Sequence, residues 1–209
     1  MMQILDCVQG DDEWRLARAG IPTASMFKTV LASGKKGEDS LTRAKYMRQL
    51  AGERITGIPM ETYSNHYMER GQLMEEEARN AYAFLTNADP QRVGFIRNGE
   101  KGCSPDSLVG TNGMLEIKTA LPDILIDKLL KGGFPPEHKA QTQGNLWVAE
   151  REWIDLTIYF TKMPPFIVRA YRDEVYIRDL ERAVAEFNAE LEEIVQRVRA
   201  YSGAELVAA

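Results

Sequence analysis

The chain has 209 residues, of which 44% are hydrophobic and 27% charged; it can bury one well-packed core, with two smaller domains as the alternative. A net charge of −5 and a sequence pI near 5.3 argue against a protein that binds nucleic acid over its whole surface, although basic groups can be confined to a groove. Two cysteines give no disulfide framework, and the lack of a long apolar run or a basic-then-apolar start predicts a cytoplasmic protein with no membrane partner.

Two short helices are predicted near the N-terminus. Acidic residues favour the first turn of a helix over 11–18, which ends before Gly20. Thr23 is then predicted to cap a second helix from Ala24 to about Ala32.

An anion pocket is predicted at the start of this second helix. Arg18 lies close to it in the chain, and Thr23 and Ser25 add hydroxyl groups to the free N–H groups of the first turn. The alternative is an ordinary capped helix with a surface arginine.

Two longer helices are predicted next, over 41–55 with Ser40 as its cap and over about 65–85. The second carries the acidic run Glu75, Glu76 and Glu77. Glu75 or Glu76 could add a carboxylate to a metal site, whereas the plainer interpretation of the run is a solvated helix face.

A β-hairpin over about 103–118 is the centre of the sequence. Apolar and β-branched residues flank a turn cluster at 110–113, and a further strand over 92–97 precedes them. In the second strand of the hairpin, Glu116 and Lys118 share one face with Met114, because side chains alternate along a strand.

The position of Asp106 depends on the hairpin register. A loop over 110–113 would pair Val109 with Met114 and Ser107 with Glu116, which leaves Asp106 one residue out of register. We expect a bulge to re-aim Asp106 so that it converges with Glu116 and Lys118; the alternative is that the three groups do not converge.

Such a convergence would form a site for phosphodiester hydrolysis. Two carboxylates suit Mg²⁺, which is usually completed by water and substrate phosphate. A neighbouring lysine can orient an attacking water, and the ion can stabilise charge on the phosphoryl oxygens. The alternative for Glu116 and Lys118 is an exposed charge pair on a strand.

The C-terminal half is predicted to contain helices over 123–131 and 137–150, strands over 154–160 and 166–171, and a final helix over about 178–201. We expect a single domain over 1–209 that ends with this helix. Its apolar residues are spaced by four and three, which predicts packing on the protein's own sheet or, alternatively, contact with another subunit. They are Leu180, Val184, Phe187, Leu191, Ile194 and Val198.

Six segments in a fixed order resemble the lambda exonuclease family, also called the YqaJ-like viral recombinases. They are Trp14-x3-Arg18-x-Gly20-Ile21-Pro22-Thr23-Ala24-Ser25, Gly71-x3-Glu75, Cys103-Ser104-Pro105-Asp106, Leu115-Glu116-Ile117-Lys118, Gly132-Gly133-Phe134 and Ala140-Gln141-Thr142-Gln143-x3-Trp147. The resemblance is collinear from about Gly10 to Trp147. It implies an α/β fold with a restriction-endonuclease-like core, in which helices flank a central mixed β-sheet.

The resemblance also implies an activity: Mg²⁺-dependent digestion of the 5′-ended strand of linear duplex DNA. The products would be 5′-mononucleotides and 3′ single-stranded overhangs of the kind used in phage-type recombination. Two Mg²⁺ ions are expected, for which Mn²⁺ can substitute. The rivals are an endonuclease or junction resolvase on the same core, and a catalytically inactive DNA-binding or assembly module.

Matching positions imply the roles of individual residues. Asp106 and Glu116 would bind metal with the Ile117 carbonyl, and Lys118 would serve the attacking water. Glu75 matches the family's helix carboxylate and is therefore preferred over its two neighbours. The remaining matches are Gln143, beside the active site, and Arg18, Ser25 and Ser104, which would bind the terminal 5′ phosphate.

The resemblance further implies partners. Members of the lambda exonuclease family form rings of three subunits around duplex DNA, which predicts a homotrimer. They often act with a single-strand annealing protein.

Overall fold

The computed structural model describes residues 1–33, 40–60 and 66–201, with only the backbone for 66–73. Its helices are α1 (Asp12–Arg18), α2 (Phe27–Val30), α3 (Leu41–Thr56), α4 (His66–Thr86), α5 (Pro122–Lys131), α6 (Lys139–Val148) and α7 (Glu174–Arg199), with 3₁₀ turns at Ala24–Met26 and Pro136–His138. Its strands are β1 (Met2–Leu5), β2 (Pro90–Gln91), β3 (Phe95–Asn98), β4 (Lys101–Cys103), β5 (Ser107–Val109), β6 (Gly113–Thr119), β7 (Trp153–Tyr159) and β8 (Phe166–Tyr171).

A mixed five-stranded sheet forms the centre, in the order β2-β5-β6-β7-β8. β6 and β7 are parallel, and the other neighbouring pairs are antiparallel. The parallel pair requires a long crossover, which α5 and α6 provide. A smaller antiparallel sheet has the order β1-β3-β4. Helices cover the central sheet on both faces, so the predicted α/β architecture is confirmed.

β6 is buried on both faces, as expected for a central strand between layers of helices. Met114 packs in the core that α3, α6 and α7 share. Leu115 and Ile117 pack with Tyr82 of α4 on the opposite face. Only the C-terminal end of β6, from Lys118 onward, reaches partial exposure.

The C-terminal helix differs from its prediction. It begins at Glu174 rather than near 178, because Asp173 caps it by accepting a 3.1 Å hydrogen bond from the Tyr176 N–H. Its apolar stripe packs mainly on helices α2, α3 and α6, in a core that also contains Met114 and Ile154 of the central sheet. At the end of the stripe, Val195 is buried and Val198 is exposed, because a straight helix drifts away from a strict 3.5-residue repeat.

The helix predicted after Thr23 is also irregular. It begins as a 3₁₀ turn over Ala24–Met26, and Thr23 makes no side-chain cap bond. Tertiary contacts decide this geometry: the Thr23 N–H donates to the Tyr46 hydroxyl over 3.3 Å, and Thr23 forms a β-bridge with Gly102.

Among the described residues, no helix is long and apolar enough to cross a membrane.

Candidate active site

The hairpin of β5 and β6 has a three-residue loop, over 110–112. Val109 pairs with Gly113, Leu108 with Met114 and Ser107 with Leu115. Gly110 adopts a left-handed conformation with φ 55°, which lets the loop close with one residue fewer than predicted. The predicted register and bulge are therefore wrong, and continuing the observed pairing by one residue sets Asp106 opposite Glu116.

Asp106 converges with Glu116 and Lys118 without a bulge. Its Oδ2 accepts a 2.5 Å hydrogen bond from the Ile117 N–H. Burial and the neighbouring Glu116 carboxylate raise the pKa of Asp106 well above its ordinary value, although Lys118 opposes this. A cation bound between the carboxylates would remove that penalty.

Glu116 is 2% exposed and is held by three donors. Its Oε1 accepts from Lys118 Nζ and from Gln141 Nε2, both over 2.6 Å, and its Oε2 accepts from Asn145 Nδ2 over 2.9 Å. Burial alone would lower the pKa of Lys118, but the Glu116 and Asp106 carboxylates raise it above its ordinary value. The lysine therefore carries its charge beside these carboxylates, in a charge pair that is half-buried rather than exposed.

Gln143 does not reach this site, contrary to the prediction. Its Nε2 donates to the Tyr171 carbonyl over 2.9 Å, and its Oε1 accepts from the Asp173 N–H over 2.8 Å. Gln141 and Asn145 are four residues apart on α6 and share a face, whereas Gln143 lies about 200° around the helix from Gln141. The four-residue spacing shows that Gln141 and Asn145 share a face, but it does not show that this face meets Glu116.

Glu75 is the helix carboxylate that faces the hairpin. Its charge contributes to the raised pKa values of Asp106 and Lys118. Its Oε1 accepts a short hydrogen bond from Arg79 Nη2. Glu76 and Glu77 are exposed, and Glu76 pairs with Arg79 and Arg92 instead. The solvated-face interpretation therefore fits these two glutamates and not Glu75.

The donor set fits a hard, partly hydrated cation. In the described part of the chain, no three Asp, Glu, His or Cys side chains gather closely enough to hold a metal alone. Mg²⁺ does not need three, because it commonly binds one or two carboxylates and keeps several waters. A carboxylate has about four acceptor positions, and hydrogen bonds occupy three of those of Glu116. Asp106 accepts through Oδ2, and its Oδ1 accepts no hydrogen bond from the described residues. Both carboxylates can thus still coordinate an ion.

A second polar site lies in a cleft of about 140 Å³ that Arg18, Thr23 and Ser25 help to line. The Arg18 guanidinium lies 3.9 Å from the centre of the Trp14 ring, and burial lowers its pKa. Within the described residues, Arg18 forms no ion pair, so its charge is available to an anion.

Ser104 is not part of the cleft wall but is linked to it. The Trp14 Nε1–H donates a 2.8 Å hydrogen bond to Ser104 Oγ while the ring of Trp14 lies under Arg18. Ser104 precedes Asp106 by two residues in the chain. Trp14 therefore connects the arginine cleft to the start of the carboxylate hairpin, a role that the sequence did not indicate.

The loop behind Arg18 is fixed by α3. The Gly20 N–H donates to Glu53 over 2.8 Å, and Arg54 Nε donates to the Gly20 carbonyl over 2.7 Å. Gly20 has φ 74°, and a Cβ there would lie 2.7 Å from Arg54 Cγ. Only glycine fits this position without strain.

Comparison with known proteins identifies relatives. The model of the YqaJ-like viral recombinase domain matches residues 13–152. The crystal structure of LHK-Exo in complex with dAMP is 33% identical, with a TM-score of 0.81 over 90% of this chain and 96% of that one. The alkaline exonuclease LHK-Exo from Laribacter hongkongensis, in a second crystal structure, is 31% identical with a TM-score of 0.80 over the same shares of both chains.

A more distant structure shares the fold. It is a phage related exonuclease from Haemophilus somnus 129PT, 15% identical, with a TM-score of 0.65 over 85% of this chain and 96% of that one. A comparison with curated proteins gave no match. The family model covers well over half of the chain. The chain therefore belongs to the YqaJ-like viral recombinase family.

Proposed function

We propose that the chain is a Mg²⁺-dependent exonuclease that digests the 5′-ended strand of linear duplex DNA. It would release 5′-mononucleotides and leave 3′ single-stranded overhangs for phage-type recombination. One observation carries this proposal: Trp14 joins the Arg18 cleft to the segment that begins the Asp106 hairpin. The proposed anion site and the candidate metal site are thus joined through one side chain.

The carboxylates would hold the ion. Asp106 and Glu116 are suited to bind Mg²⁺ together with the Ile117 carbonyl, and the ion when bound would stabilise charge on the phosphoryl oxygens and acidify a water. Gln141 and Asn145 orient Glu116. Lys118, already hydrogen-bonded to Glu116, is placed to orient the attacking water.

The Arg18 cleft would select the DNA end. A terminal phosphate monoester carries up to two negative charges and three free oxygens, whereas an internal diester carries one charge and two free oxygens. A planar guanidinium pairs with two oxygens at once, and Ser25 would add a hydroxyl donor from the cleft wall. Ser104 lies beside the cleft, and since its Oγ accepts from Trp14, its own O–H would remain to donate to the phosphate. Binding of the end in this cleft would favour cleavage of one nucleotide at a time.

The relatives support this activity. Family membership and the two LHK-Exo structures support a nuclease of the exonuclease type. One of those structures contains dAMP, a deoxynucleoside monophosphate of the kind that the proposed reaction would release.

Acid-soluble release of label from uniformly labelled linear duplex tests the proposal. We expect release in Mg²⁺ but not in EDTA, and none from Asp106→Asn. Covalently closed circular DNA should remain intact. Cleavage of the circle would indicate the endonuclease alternative, and absence of any Mg²⁺-dependent release would indicate an inactive binding module.

Assembly and partners are a separate part of the proposal. We propose that the chain forms a homotrimeric ring around duplex DNA and acts with a single-strand annealing protein. We also propose that Mn²⁺ can replace Mg²⁺ and that the protein is cytoplasmic. Analytical ultracentrifugation would test the assembly, with three times the mass of one chain expected and a monomer contradicting it.

A further inference from the structure

Arg79 is a buried cation at the contact between α4 and β5. The residue is only 4% exposed. It donates to Glu75, to Glu76 Oε2 over 2.7 Å, to Ser107 Oγ over 2.9 Å and to the Asp106 carbonyl over 3.3 Å. One side chain therefore contacts both the helix carboxylate and the main chain of the residue that begins the candidate metal site.

Ser107 completes this connection. Its side chain is fully buried, and its Oγ donates a 2.6 Å hydrogen bond to the Asp106 carbonyl while accepting from Arg79 Nε. A buried charge is costly unless its hydrogen bonds are satisfied, and here four acceptors satisfy the guanidinium. A lysine has one nitrogen and could not reproduce these planar, divergent contacts.

We propose that Arg79 is a positioning residue for the metal site. It would fix Glu75 of α4 relative to Asp106, the residue before β5, so that the carboxylates are in place before DNA binds. This inference rests on the proposed function, because it concerns the same site. Outer partners of metal ligands typically contribute about 10–100-fold to metal affinity.

Mn²⁺ binding without DNA is the direct test. Loss of the free-ion electron paramagnetic resonance signal during titration gives the dissociation constant. We expect Arg79→Lys to bind Mn²⁺ about 10–100-fold more weakly than the wild type while circular dichroism shows an unchanged fold. Arg92→Lys is the matched control, since Arg92 also pairs with Glu76 but lies exposed on the surface. It should keep wild-type affinity.

A double-mutant cycle separates positioning from general stability. If Arg79 acts through Glu75, the losses in Mn²⁺ affinity of Arg79→Lys and Glu75→Gln will not add in the double variant. Fully additive losses, or an unchanged affinity in Arg79→Lys, would overturn the inference. The nuclease activity of the wild type is measured in a separate assay. If the wild type is active, failure of the inference about Arg79 leaves the proposed function unaffected.

Ser107→Ala covers the case in which Arg79→Lys fails to fold. It removes an acceptor of Arg79 and a donor to Asp106 without changing charge. We expect Ser107→Ala, like Arg79→Lys, to bind Mn²⁺ more weakly than the wild type. Wild-type affinity in a folded Ser107→Ala variant would overturn the inference. A wild type with neither Mn²⁺ binding nor nuclease activity would overturn both proposals.

Discussion

Trp14 Nε1 donates a 2.8 Å hydrogen bond to Ser104 Oγ, across 90 positions of the chain. The same indole ring lies under the Arg18 guanidinium. α1 and the start of the hairpin are therefore held together by one aromatic side chain. In the function proposed above, this contact links recognition of a DNA end to hydrolysis next to it.

Trp14→Phe tests this link, because it keeps an aromatic ring under Arg18 but removes the donor to Ser104. A lost hydrogen bond costs about 0.5–1.5 kcal/mol, so we expect kcat/KM on 5′-phosphorylated duplex to fall several-fold with a smaller change on 5′-hydroxyl duplex. Ser104→Ala is the partner variant. If the two residues act through their hydrogen bond, the double variant will lose less than the sum of the single losses. Additive losses would mean that the bond has no such role.

Gly20→Ala tests the loop that carries Arg18, and Gly57→Ala is its matched control. Both glycines have positive φ, but a Cβ at Gly20 would lie 2.7 Å from Arg54 Cγ, whereas at Gly57 it would meet open space. Strain should lower the free energy of unfolding of both variants by about 1 kcal/mol or more, as thermal melting would measure. Only Gly20→Ala should also lose preference for 5′-phosphorylated ends. Equal preferences in the two variants would contradict a positioning role for this loop.

Gln141→Ala should lower catalytic rate, whereas Gln143→Ala should lower stability. Gln141 donates to Glu116 Oε1, so its loss should lower kcat about 10-fold or more with little change in melting temperature. Gln143 joins α6 to Tyr171 and Asp173, so its loss should lower stability by about 1–3 kcal/mol and leave kcat nearly unchanged. Steady-state kinetics and chemical denaturation measure the two effects. The reverse pattern would restore the prediction that Gln143 lies in the site.

Asp106→Asn should stabilise the metal-free protein at neutral pH. Burial and Glu116 raise the pKa of Asp106 in the folded state, so its contribution to stability is present at low pH and is lost as pH rises through that raised value. The variant avoids this loss, and its amide oxygen can still accept from the Ile117 N–H. In EDTA, the melting temperature of Asp106→Asn should therefore exceed that of the wild type by a margin that grows with pH. Mg²⁺ should narrow that margin, and a margin independent of pH would contradict this account.

The sequence predicted the architecture more reliably than the site geometry. Alternating apolar residues located β7 and β8, and turn residues located the hairpin. A difference of one residue in loop length shifts every pairing, and nothing in a Gly-Thr-Asn-Gly turn decides between three and four residues. The predicted bulge at Asp106 arose from that single uncertainty.

The direction in which each side chain points limited what else could be predicted about the site from the sequence. Gln141 and Gln143 are equally plausible in sequence, and only the packed orientation of α6 decides which faces Glu116. Arg79 follows three glutamates and reads as part of a solvated face, because burial of a charge depends on distant partners such as Ser107. Short edge strands such as β1 carry too few residues for a periodic signal.

Strand polarity tests the central claim most directly. Two linear duplexes that differ only in carrying the label at the 5′ or the 3′ end of one strand are digested in Mg²⁺ and sampled within the first turnovers. We predict that the 5′ label appears first, as a mononucleotide, and that the 3′ label is released only after digestion along the strand. Early release of the 3′ label, or release of the 5′ label within longer oligonucleotides, would contradict an active site that binds the 5′ end through Arg18 and cleaves beside it.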